Sequence, residues 1–496
     1  RTAVLHSAPS LAQRVLRWLS DTYAGRVVLI TAAGLAGRLA LLAYQPIWRD
    51  EAFTALATSR SLGGMLDVVR ADSAPPVAYV LERAVASLVP GTAGLRLFPA
   101  LAGAAAIPLG AALGRRIAGD RGGLLTAVVC ALSPALALSA LDARMYAVAT
   151  TVVMATTLAL WRAVDRPTRA RWVVYGGLMA LALYTDYFAV LAVPAQLVAV
   201  ALVLRAGWRR TAVAAAVAAA AGLTLVPWLV AASAQLGHAG QPFWVQPVDF
   251  ESVSGSLVQF FAGPPIEPWV PWKPAMQVFQ GVAMAAGILL LGVLVARRRR
   301  LGDPRSRAAA FCAVCGFGAA LLLFPLSLWH PLVDGRYAGV VWGPAYALLG
   351  AGLALVASRR LVAAALVATL SATLALALLP DHPDTQAAIA SLRTEVGPHD
   401  LVDAYASEYL LLLEEAPPPL LRRTLVLQDS VQWYWGTAVY PHGVITPALP
   451  ARVTGYDGTV YAVTQPNERP PSIPDGYSQR ARTCWLGACV VTYRRG

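Results

Sequence analysis

Two adjacent carboxylates, Asp50 and Glu51, occur in the stretch RDEAF directly after an apolar run. A carboxylate held beside a hydroxyl group can take its proton and so act as a general base. Because successive side chains on a short element point in different directions, we expect one acid to face a cavity and the other a structural partner. Asp50 is the candidate base, and Glu51 is the second candidate catalytic acid. A solvated loop acid paired with Arg49 is the alternative.

Two further stretches each place an acid beside tyrosine. LDARMY contains Asp142, Arg144 and Tyr146, and TDYF contains Asp186 and Tyr187. Tyrosine and arginine are common at the membrane surface, so interfacial anchoring is one interpretation. It explains the acids less well, because an acid there would lie near anionic lipid headgroups. We therefore predict that these acids and tyrosines bind substrate and that Arg144 contributes to phosphate binding.

A third group of candidates is cationic or aromatic. The stretch WHPLVDGRY brings His330, Arg336 and Tyr337 together before another apolar run, and Lys273 is the only lysine of the chain. Guanidinium binds phosphate in a bidentate manner, and lysine offers a compact point charge. Arg336, Tyr337 and Lys273 are predicted to bind phosphate and His330 to bind substrate. Snorkelling of Arg336 to ordinary lipid phosphate and chance survival of one lysine are the alternatives.

The elements that position these residues are membrane spans. The chain is 57% hydrophobic and only 14% charged, with a mean hydropathy of +0.57, whereas soluble domains carry about 25% charged residues. We predict a polytopic α-helical membrane protein with about eleven transmembrane helices. The span-length apolar runs are 27–45, 95–113, 122–141, 146–163, 172–189, 189–205, 211–232, 275–296, 308–328, 337–357 and 360–380.

Arginine-rich loops predict which side of the membrane each candidate faces. Basic clusters such as GRRIAGDR and ARRRRLGDPRSR all fall on one side if eleven spans follow a cytoplasmic amino terminus. The segment 75–90 carries Glu82 and Arg83 mid-run, a pair that is costly at bilayer depth. We therefore expect an amphipathic helix at the interface there instead of a span. The candidate residues then lie on the external face.

Three regions follow from this topology. They are a cytoplasmic segment 1–26, a membrane domain 27–380 with large external loops at 46–94 and 233–274, and an external domain 381–496. The last region alternates helical patterns with short β-rich pieces and predicts a small α/β domain. If it lies outside the cytoplasm, Cys484 and Cys489 can close a short disulfide loop.

Several function classes are disfavoured by the sequence. The net charge of +13 comes from arginines in loops between spans, which argues against nucleic acid as a partner. The six histidines have no metal-ligand spacing, and the chain has neither a GxSxG elbow nor a phosphate-binding Walker loop. We therefore expect no cofactor and no bound metal, although a divalent ion is not excluded by sequence. A transferase of this kind would use a donor that is not a nucleotide.

The order of the motifs resembles the type C glycosyltransferase superfamily, particularly its protein O-mannosyltransferase and aminoarabinose-transferase branches. The resemblance is carried by RDEAFTALA, PPVAYVLERA, LDARMYAV, LYTDYFAVL and GRYAGVVWGPAYALLGAGLA and covers roughly residues 27–360. It implies inverting transfer from a polyprenyl-phosphate sugar in the outer leaflet. It also implies that Asp50 is the base with Glu51 as its companion acid, and that Arg336, Arg144 and Lys273 meet the donor phosphate.

We therefore predict an enzyme of the plasma membrane, from a GC-rich genome of actinobacterial type, that transfers a mannose- or arabinose-like sugar. Its partners would be the donor lipid, the bilayer and a hydroxyl acceptor on a cell-envelope glycan, lipid or protein. A lipid-phosphate or glycolipid transporter or scramblase is the alternative, although such proteins place charges in mid-span. A non-catalytic envelope-assembly partner is a third interpretation.

Overall fold

The computed structural model describes residues 11–238, 241, 244–380, 382–428, 431–446, 457–466 and 476–496. Parts of the predicted segments 1–26, 233–274 and 381–496 therefore lie outside the described residues. Helices dominate the chain as far as Leu378, and a small mixed sheet follows.

The amino-terminal half contains helices of very different lengths, and three of the shorter ones follow one another between residues 49 and 86. The long helices are α1 (Leu11–Asp21), α2 (Tyr23–Leu41), α6 (Thr92–Leu132), α8 (Tyr146–Asp165), α9 (Arg169–Thr185) and α11 (Trp208–Ala231). The shorter helices are α3 (Arg49–Thr58), α4 (Leu62–Ala71), α5 (Val77–Ala86), α7 (Pro134–Ser139) and α10 (Ala192–Val198). α10 lies between a 3-10 turn, Tyr187–Leu191, and a π turn, Ala199–Val203, and another 3-10 turn, Ser233–His238, follows α11.

The second half of the membrane domain contains α12 to α19. Their bounds are α12 (Phe250–Ala262), α13 (Lys273–Ala296), α14 (Gly302–Ala313), α15 (Ala319–Leu321), α16 (Leu323–Leu326), α17 (Gly335–Trp342), α18 (Tyr346–Leu355) and α19 (Arg359–Leu378). Short 3-10 or π turns at Arg298–Arg300, Val314–Gly318 and Gly343–Ala345 connect several of them.

Among the described residues, eight helical stretches are long and apolar enough to cross a membrane. They are Tyr23–Leu41, Thr92–Leu132, Tyr146–Asp165, Trp208–Ala231, Lys273–Ala296, Gly302–Leu326, Gly335–Leu355 and Arg359–Leu378.

The eight stretches match the eleven predicted spans when one of them is counted as two helices and two shorter helical segments are added. α6 is two helices joined at a kink, where Gly119 has a φ of 68° that favours glycine. Arg169–Thr185 is 17 residues long, and Tyr187–Val203 is a shorter apolar helical stretch. Each of the eleven apolar runs thus corresponds to one helical segment, and the predicted polytopic fold is confirmed.

The predicted loop 46–94 contains no crossing helix. It folds into α3, α4 and α5, each 10 residues long. Ten residues of α-helix extend about 15 Å, half of the roughly 30 Å of a hydrocarbon core. The segment 75–90 is therefore a short helix, and it packs against α3 and α6.

The carboxyl-terminal region forms a five-stranded mixed sheet in the order β2-β1-β3-β5-β4. β1 runs parallel to β2 and β3, and β5 pairs antiparallel with β3 and β4. The strands and helices are α20 (Thr385–Glu395), β1 (Leu401–Ala404), α21 (Ala406–Glu415), α22 (Pro418–Leu421), β2 (Thr424–Leu425), β3 (Val460–Thr464), β4 (Tyr477–Cys484) and β5 (Cys489–Arg495), with 3-10 turns at Trp433–Trp435 and Thr437–Val439.

Every predicted helix and β-rich piece of this region is present, and one strand was not predicted. β4 has the sequence YSQRARTC, and most of its residues are exposed, so no apolar alternation marks it. A disulfide between Cys484 and Cys489 joins the end of β4 to the start of β5, as the sequence suggested for an external domain.

Candidate active site

The acid pair lies in the first turn of α3, where its two side chains diverge. Trp48 is the N-cap residue, and its backbone N–H donates to the Glu51 carboxylate at 3.4 Å. Carboxylates in the first turn also interact favourably with the helix dipole. The helix start therefore fixes Glu51 towards the protein interior and leaves Asp50 on the other side.

Glu51 is held in a buried ion pair with Arg96 of α6. Two guanidinium nitrogens of Arg96 lie 2.6 and 2.5 Å from the two carboxylate oxygens, and Glu51 is only 1% exposed. One of these oxygens also accepts the backbone N–H of Ala143 at 2.9 Å. Both of its oxygens thus join α3 to α6 and to the 142–144 loop, which favours a positioning role, and a catalytic role for Glu51 stays a prediction.

Asp50 instead contacts Arg336, which is 286 residues later in the chain. Nη1 of Arg336 is 3.4 Å from Oδ2 of Asp50, and each side chain is 27% exposed. The guanidinium carbon also lies 5.2 Å from the ring centre of Trp48 and 5.4 Å from that of Trp244. Asp334 caps α17 by accepting the N–H of Arg336 at 2.7 Å. A capped helix start and two aromatic rings thus orient the arginine towards the candidate base.

Asp142 is the second acid of this group. Its Oδ1 accepts the indole N–H of Trp48 at 3.1 Å, and the ring of His382 stacks on that of Trp48 with 5.9 Å between ring centres. Burial, together with nearby Glu51 and Asp50, raises the pKa of the Asp142 carboxyl to about 7. Asp50, Glu51 and Asp142 therefore influence one another, and their mutual repulsion favours the protonated form of Asp142.

A cavity opens beside these residues with one polar and one apolar wall. Arg336, the partner of Asp50, lies in the polar wall, and so do Trp48 and Arg49, which precede Asp50 in the chain. Its polar lining includes Trp48, Arg49, Asp142, Tyr146, Gln259, Glu267, Arg336, His382, Glu408 and Gln465. Its apolar lining includes Leu41, Ala135, Leu136, Leu138, Leu141, Trp342, Leu376 and Ala377.

Residues 73–231 match the family model described as dolichyl-phosphate-mannose-protein mannosyltransferase. No curated protein sequence matches the chain significantly. The crystal structure of ArnT from Cupriavidus metallidurans bound to undecaprenyl phosphate is similar, with a TM-score of 0.59 at 16% identity over 94% of this chain and 98% of that chain. The apo state of ArnT gives 0.60 at 15% identity, over 95% and 98%. The chain has the type C glycosyltransferase fold.

A more distant structure has the same overall arrangement. The apo oligosaccharyltransferase of Archaeoglobus fulgidus matches with a TM-score of 0.50 at 12% identity, over 90% of this chain and 70% of that chain. At such low identities the likeness concerns the type C fold. The residues that act in this chain must be argued from its own geometry.

Several predicted site residues of this type C fold lie away from the cavity. Asp186 is 4% exposed and caps the following 3-10 turn by accepting the N–H of Phe188 at 2.8 Å. The hydroxyl of Tyr187 accepts the indole N–H of Trp228 at 2.8 Å and donates to Gln235 at 2.9 Å. These contacts are structural, and the substrate-binding roles of Asp186 and Tyr187 stay predictions.

The predicted phosphate-binding residues also divide into two groups. Arg336 lines the cavity, whereas Tyr337 is buried in a stack on Phe188 with 4.1 Å between ring centres. Lys273 begins α13 and is absent from the cavity lining, as is His330. Tyr337, Lys273 and His330 therefore lie outside the lining of this cavity, and their roles in ligand binding stay predictions.

Arg144 lies behind the cavity wall and acts on it through charge. Its Nη1 donates to the hydroxyl of Tyr79 at 3.1 Å. Its positive charge opposes the rise that burial causes in the pKa values of Asp72, Glu82 and Asp142. Arg144 thus compensates a group of buried acids under the site, and the structure gives it no place in the cavity lining.

The carboxyl-terminal domain completes the site, which sequence reasoning did not predict. Glu408 on α21 is 2% exposed, lines the cavity, and accepts from the amide of Gln465 at 3.0 Å. Arg49 lies 5.0 Å from the ring centre of Trp435, and Arg60 donates to the carbonyl of Val439 at 3.0 Å. No local sequence signal links these positions to Asp50. Trp48 was also missed, although its place beside the acid pair could have indicated its role.

Within the described residues, no group of three or more histidine, cysteine, aspartate or glutamate side chains is arranged to hold a metal ion.

Proposed function

We propose that this protein is an inverting membrane glycosyltransferase that uses a polyprenyl-phosphate sugar as donor and a hydroxyl of a cell-envelope glycan, lipid or protein as acceptor. The observation that carries the proposal is the contact of Asp50 with Arg336, an arginine that lines a cavity with one polar and one apolar wall. The shared fold with ArnT, whose structure contains undecaprenyl phosphate, supports this class of donor.

Stabilisation of the leaving polyprenyl phosphate is assigned to Arg336. Breaking the bond between sugar and phosphate leaves negative charge on the polyprenyl phosphate, and a guanidinium can meet it with two parallel N–H donors. The contact of Arg336 with Asp50 is long, at 3.4 Å, and the guanidinium carries five donors in a planar fork. The arginine can therefore remain near the base while it binds phosphate.

The general base is assigned to Asp50. An inverting transfer needs the acceptor oxygen to attack the sugar carbon from the face opposite the phosphate while a base removes the hydroxyl proton. Asp50 is partly exposed, and its neighbour Glu51 is occupied by Arg96. Of the acid pair, only Asp50 is free to approach an acceptor hydroxyl.

The two walls of the cavity suit the two parts of the donor. The apolar side chains of α2, α7 and α19 can contact the prenyl chain, which gains stability from leaving water. Asp142, Tyr146, His382 and Glu408 offer hydrogen-bonding groups for sugar and acceptor hydroxyls. The transferred sugar would be mannose- or arabinose-like, and the reaction would take place on the external face of the plasma membrane.

The test is transfer of radiolabelled sugar from a panel of polyprenyl-phosphate sugars to a crude cell-envelope acceptor. General-base assistance contributes about 10²–10⁴-fold, so Asp50→Asn should lower the transfer rate by that factor while the protein remains folded. Asp67→Asn, a change at an exposed acid of α4, is the matched control. An Asp50→Asn protein that keeps more than a tenth of the wild-type rate would remove Asp50 from this role.

A second variant tests the phosphate assignment. Arg336→Ala should raise the KM for the donor more than the KM for the acceptor, because only the donor carries phosphate. Arg299→Ala removes an equal charge from a remote exposed loop and should change neither constant. Equal donor affinity in the wild type and Arg336→Ala would refute the assignment.

A further inference from the structure

A second concave site lies at the opposite end of α8 from the candidate active site. Tyr146 at the start of α8 lines the active-site cavity, and Asp165 at its end lines the second site. Because α8 has 20 residues, the two sites are about 30 Å apart along the helix. The second site therefore lies on the other face of the membrane domain, the one that the arginine clusters predict to be cytoplasmic.

Positive charge is concentrated in this second site. Its lining contains five arginines and one acid, with the arginines at positions 116, 205, 209, 210 and 307. Asp165 is already engaged, since its Oδ2 accepts from Arg116 at 3.3 Å and from the indole of Trp161 at 2.8 Å. Asp165 compensates the charge of Arg116, so the other four arginines add uncompensated positive charge to this site.

The backbone around the site also favours an anion. α11 begins at this site, and its N-cap residue Gly207 has no side chain that could accept the first N–H groups. Uncapped N–H groups at a helix start carry partial positive charge and bind phosphate oxygens. Arg205 just before it adopts a φ of 50°, a conformation that is uncommon for a residue with a side chain, and lines the site. The turn thus brings a helix start and an arginine into the same cavity.

The surroundings point to a lipid as the carrier of that anion. Trp208, the first residue of α11, is 76% exposed and lines the site, as expected for an indole at headgroup depth. Val213, about one turn farther along α11, is 42% exposed, which indicates an apolar face turned outward next to the site. A ligand here would have its phosphate among the arginines and its chains against α11.

We propose that this concavity binds the phosphate of an anionic phospholipid headgroup. The general excess of arginine in cytoplasmic loops explains the charge, but it does not explain why four uncompensated arginines and a helix start share one pocket. The site is separate from the transferase chemistry, so its test does not depend on the proposed function.

The experiment measures binding of phosphatidylglycerol, phosphatidylcholine and inorganic phosphate to the purified full-length protein by native mass spectrometry and by thermal shift. We expect phosphatidylglycerol to bind more tightly than phosphatidylcholine. Arg209→Gln combined with Arg307→Gln should weaken phosphatidylglycerol binding by at least about tenfold, since each basic residue near a membrane surface contributes roughly fivefold. Arg299→Gln combined with Arg300→Gln is the control, because it removes the same charge from a loop outside the site.

The outcomes separate local binding from general attraction. Selective loss in the site variant but not in the control supports the proposal. If inorganic phosphate stabilises the wild type and this effect is lost in the site variant alone, the shared phosphate chemistry is supported and the source is soluble. Equal losses in the two double variants, or equal affinity for phosphatidylglycerol and phosphatidylcholine, would overturn it.

Discussion

At the scale of single residues, adjacent acids acquire different tasks because a buried arginine lies next to only one of them. Arg96 is 1% exposed and donates to the carbonyls of Leu42, Gln45 and Pro46 as well as to Glu51. A buried guanidinium without a carboxylate would be costly. Glu51 supplies the countercharge, and Asp50 remains partly exposed beside Arg336.

The ion pair can be tested by removing one partner. Glu51→Gln leaves the Arg96 charge buried without compensation, so we expect a loss of about 3–5 kcal/mol in the free energy of unfolding. Asp67→Asn breaks the exposed pair with Arg70 and should cost less than about 1 kcal/mol. Thermal and denaturant unfolding in detergent measure both. If Glu51→Gln abolished transfer while stability stayed unchanged, Glu51 would be catalytic and the positioning role would be wrong.

A pH dependence of stability is expected from Glu82 on α5. Burial raises its pKa from 4.5 to about 8, with nearby Asp142 and Glu51 adding to the rise and Arg144 opposing it. Between these two values the folded state keeps a proton that the unfolded state releases. The free energy of unfolding should therefore fall as pH rises from about 5 to 8, by an amount on the order of a few kcal/mol.

Glu82→Gln cannot titrate and should flatten this decline, as measured by unfolding at pH 5, 6, 7 and 8. Asp303→Asn, a change at an exposed acid, serves as the control and should leave the decline intact. An identical pH profile in the wild type and Glu82→Gln would show that other groups cause the decline.

Residue types alone predicted part of this site. Asp50, Asp142, Tyr146 and Arg336 stand at the ends of apolar runs, and the structure brings them together. Glu51 could not be separated from Asp50 by sequence, because the distinction depends on a contact across 45 positions.

At the scale of elements, the site depends on the contact between α3 and the carboxyl-terminal domain. Phe53 of α3 packs against a tight turn at Gly436, whose φ is 70°, and Leu410 and Leu411 of α21 belong to the same core as α3. This packing holds Glu408 at the cavity wall. The carboxyl-terminal domain is thus a structural part of the site.

Gly436→Ala tests that contact. A Cβ there would lie 2.8 Å from a ring carbon of Phe53, in a left-handed backbone conformation. We expect a loss of roughly 2–4 kcal/mol from backbone strain and collision together, along with reduced sugar transfer and faster proteolysis of the carboxyl-terminal domain.

Gly443→Ala is the matched control. Its φ is 77°, but no atom lies within 4 Å of the added Cβ, so only the backbone strain of about 1–2 kcal/mol applies. Equal effects of the two substitutions on transfer would show that packing of α3 against this turn does not matter for the site.

Elements with a strong periodic signal were predictable, and those without one were not. The eleven apolar runs became helical segments, since lipid-facing helices need long apolar stretches. β4 was missed because its side chains are polar and exposed on both faces, and only pairing with β5 makes it a strand. The packing of α21 on α3 could not be predicted from the sequence either, because it joins residues more than 350 positions apart.

At the scale of the whole molecule, the candidate site residues and the arginine-rich turns lie at opposite ends of the helices. The acids and aromatic residues gather at the start of α8, α13 and α17, and the arginine-rich turns gather at the ends of α8 and α13. This polarity is what an enzyme needs if its donor phosphate is external and its orientation is set by arginine-rich cytoplasmic loops. The disulfide of the carboxyl-terminal domain agrees with an oxidising external compartment.

Orientation is testable with introduced cysteines. The five native cysteines leave little background, since Cys484 and Cys489 form a disulfide and the other three are buried. Leu88, 81% exposed between α5 and α6, marks the active-site face, and Arg299 marks the opposite face. In intact cells a membrane-impermeant maleimide should label Leu88→Cys at once and Arg299→Cys only after permeabilisation. The reverse pattern would place Asp50 in the cytosol, where it could not meet a donor in the outer leaflet.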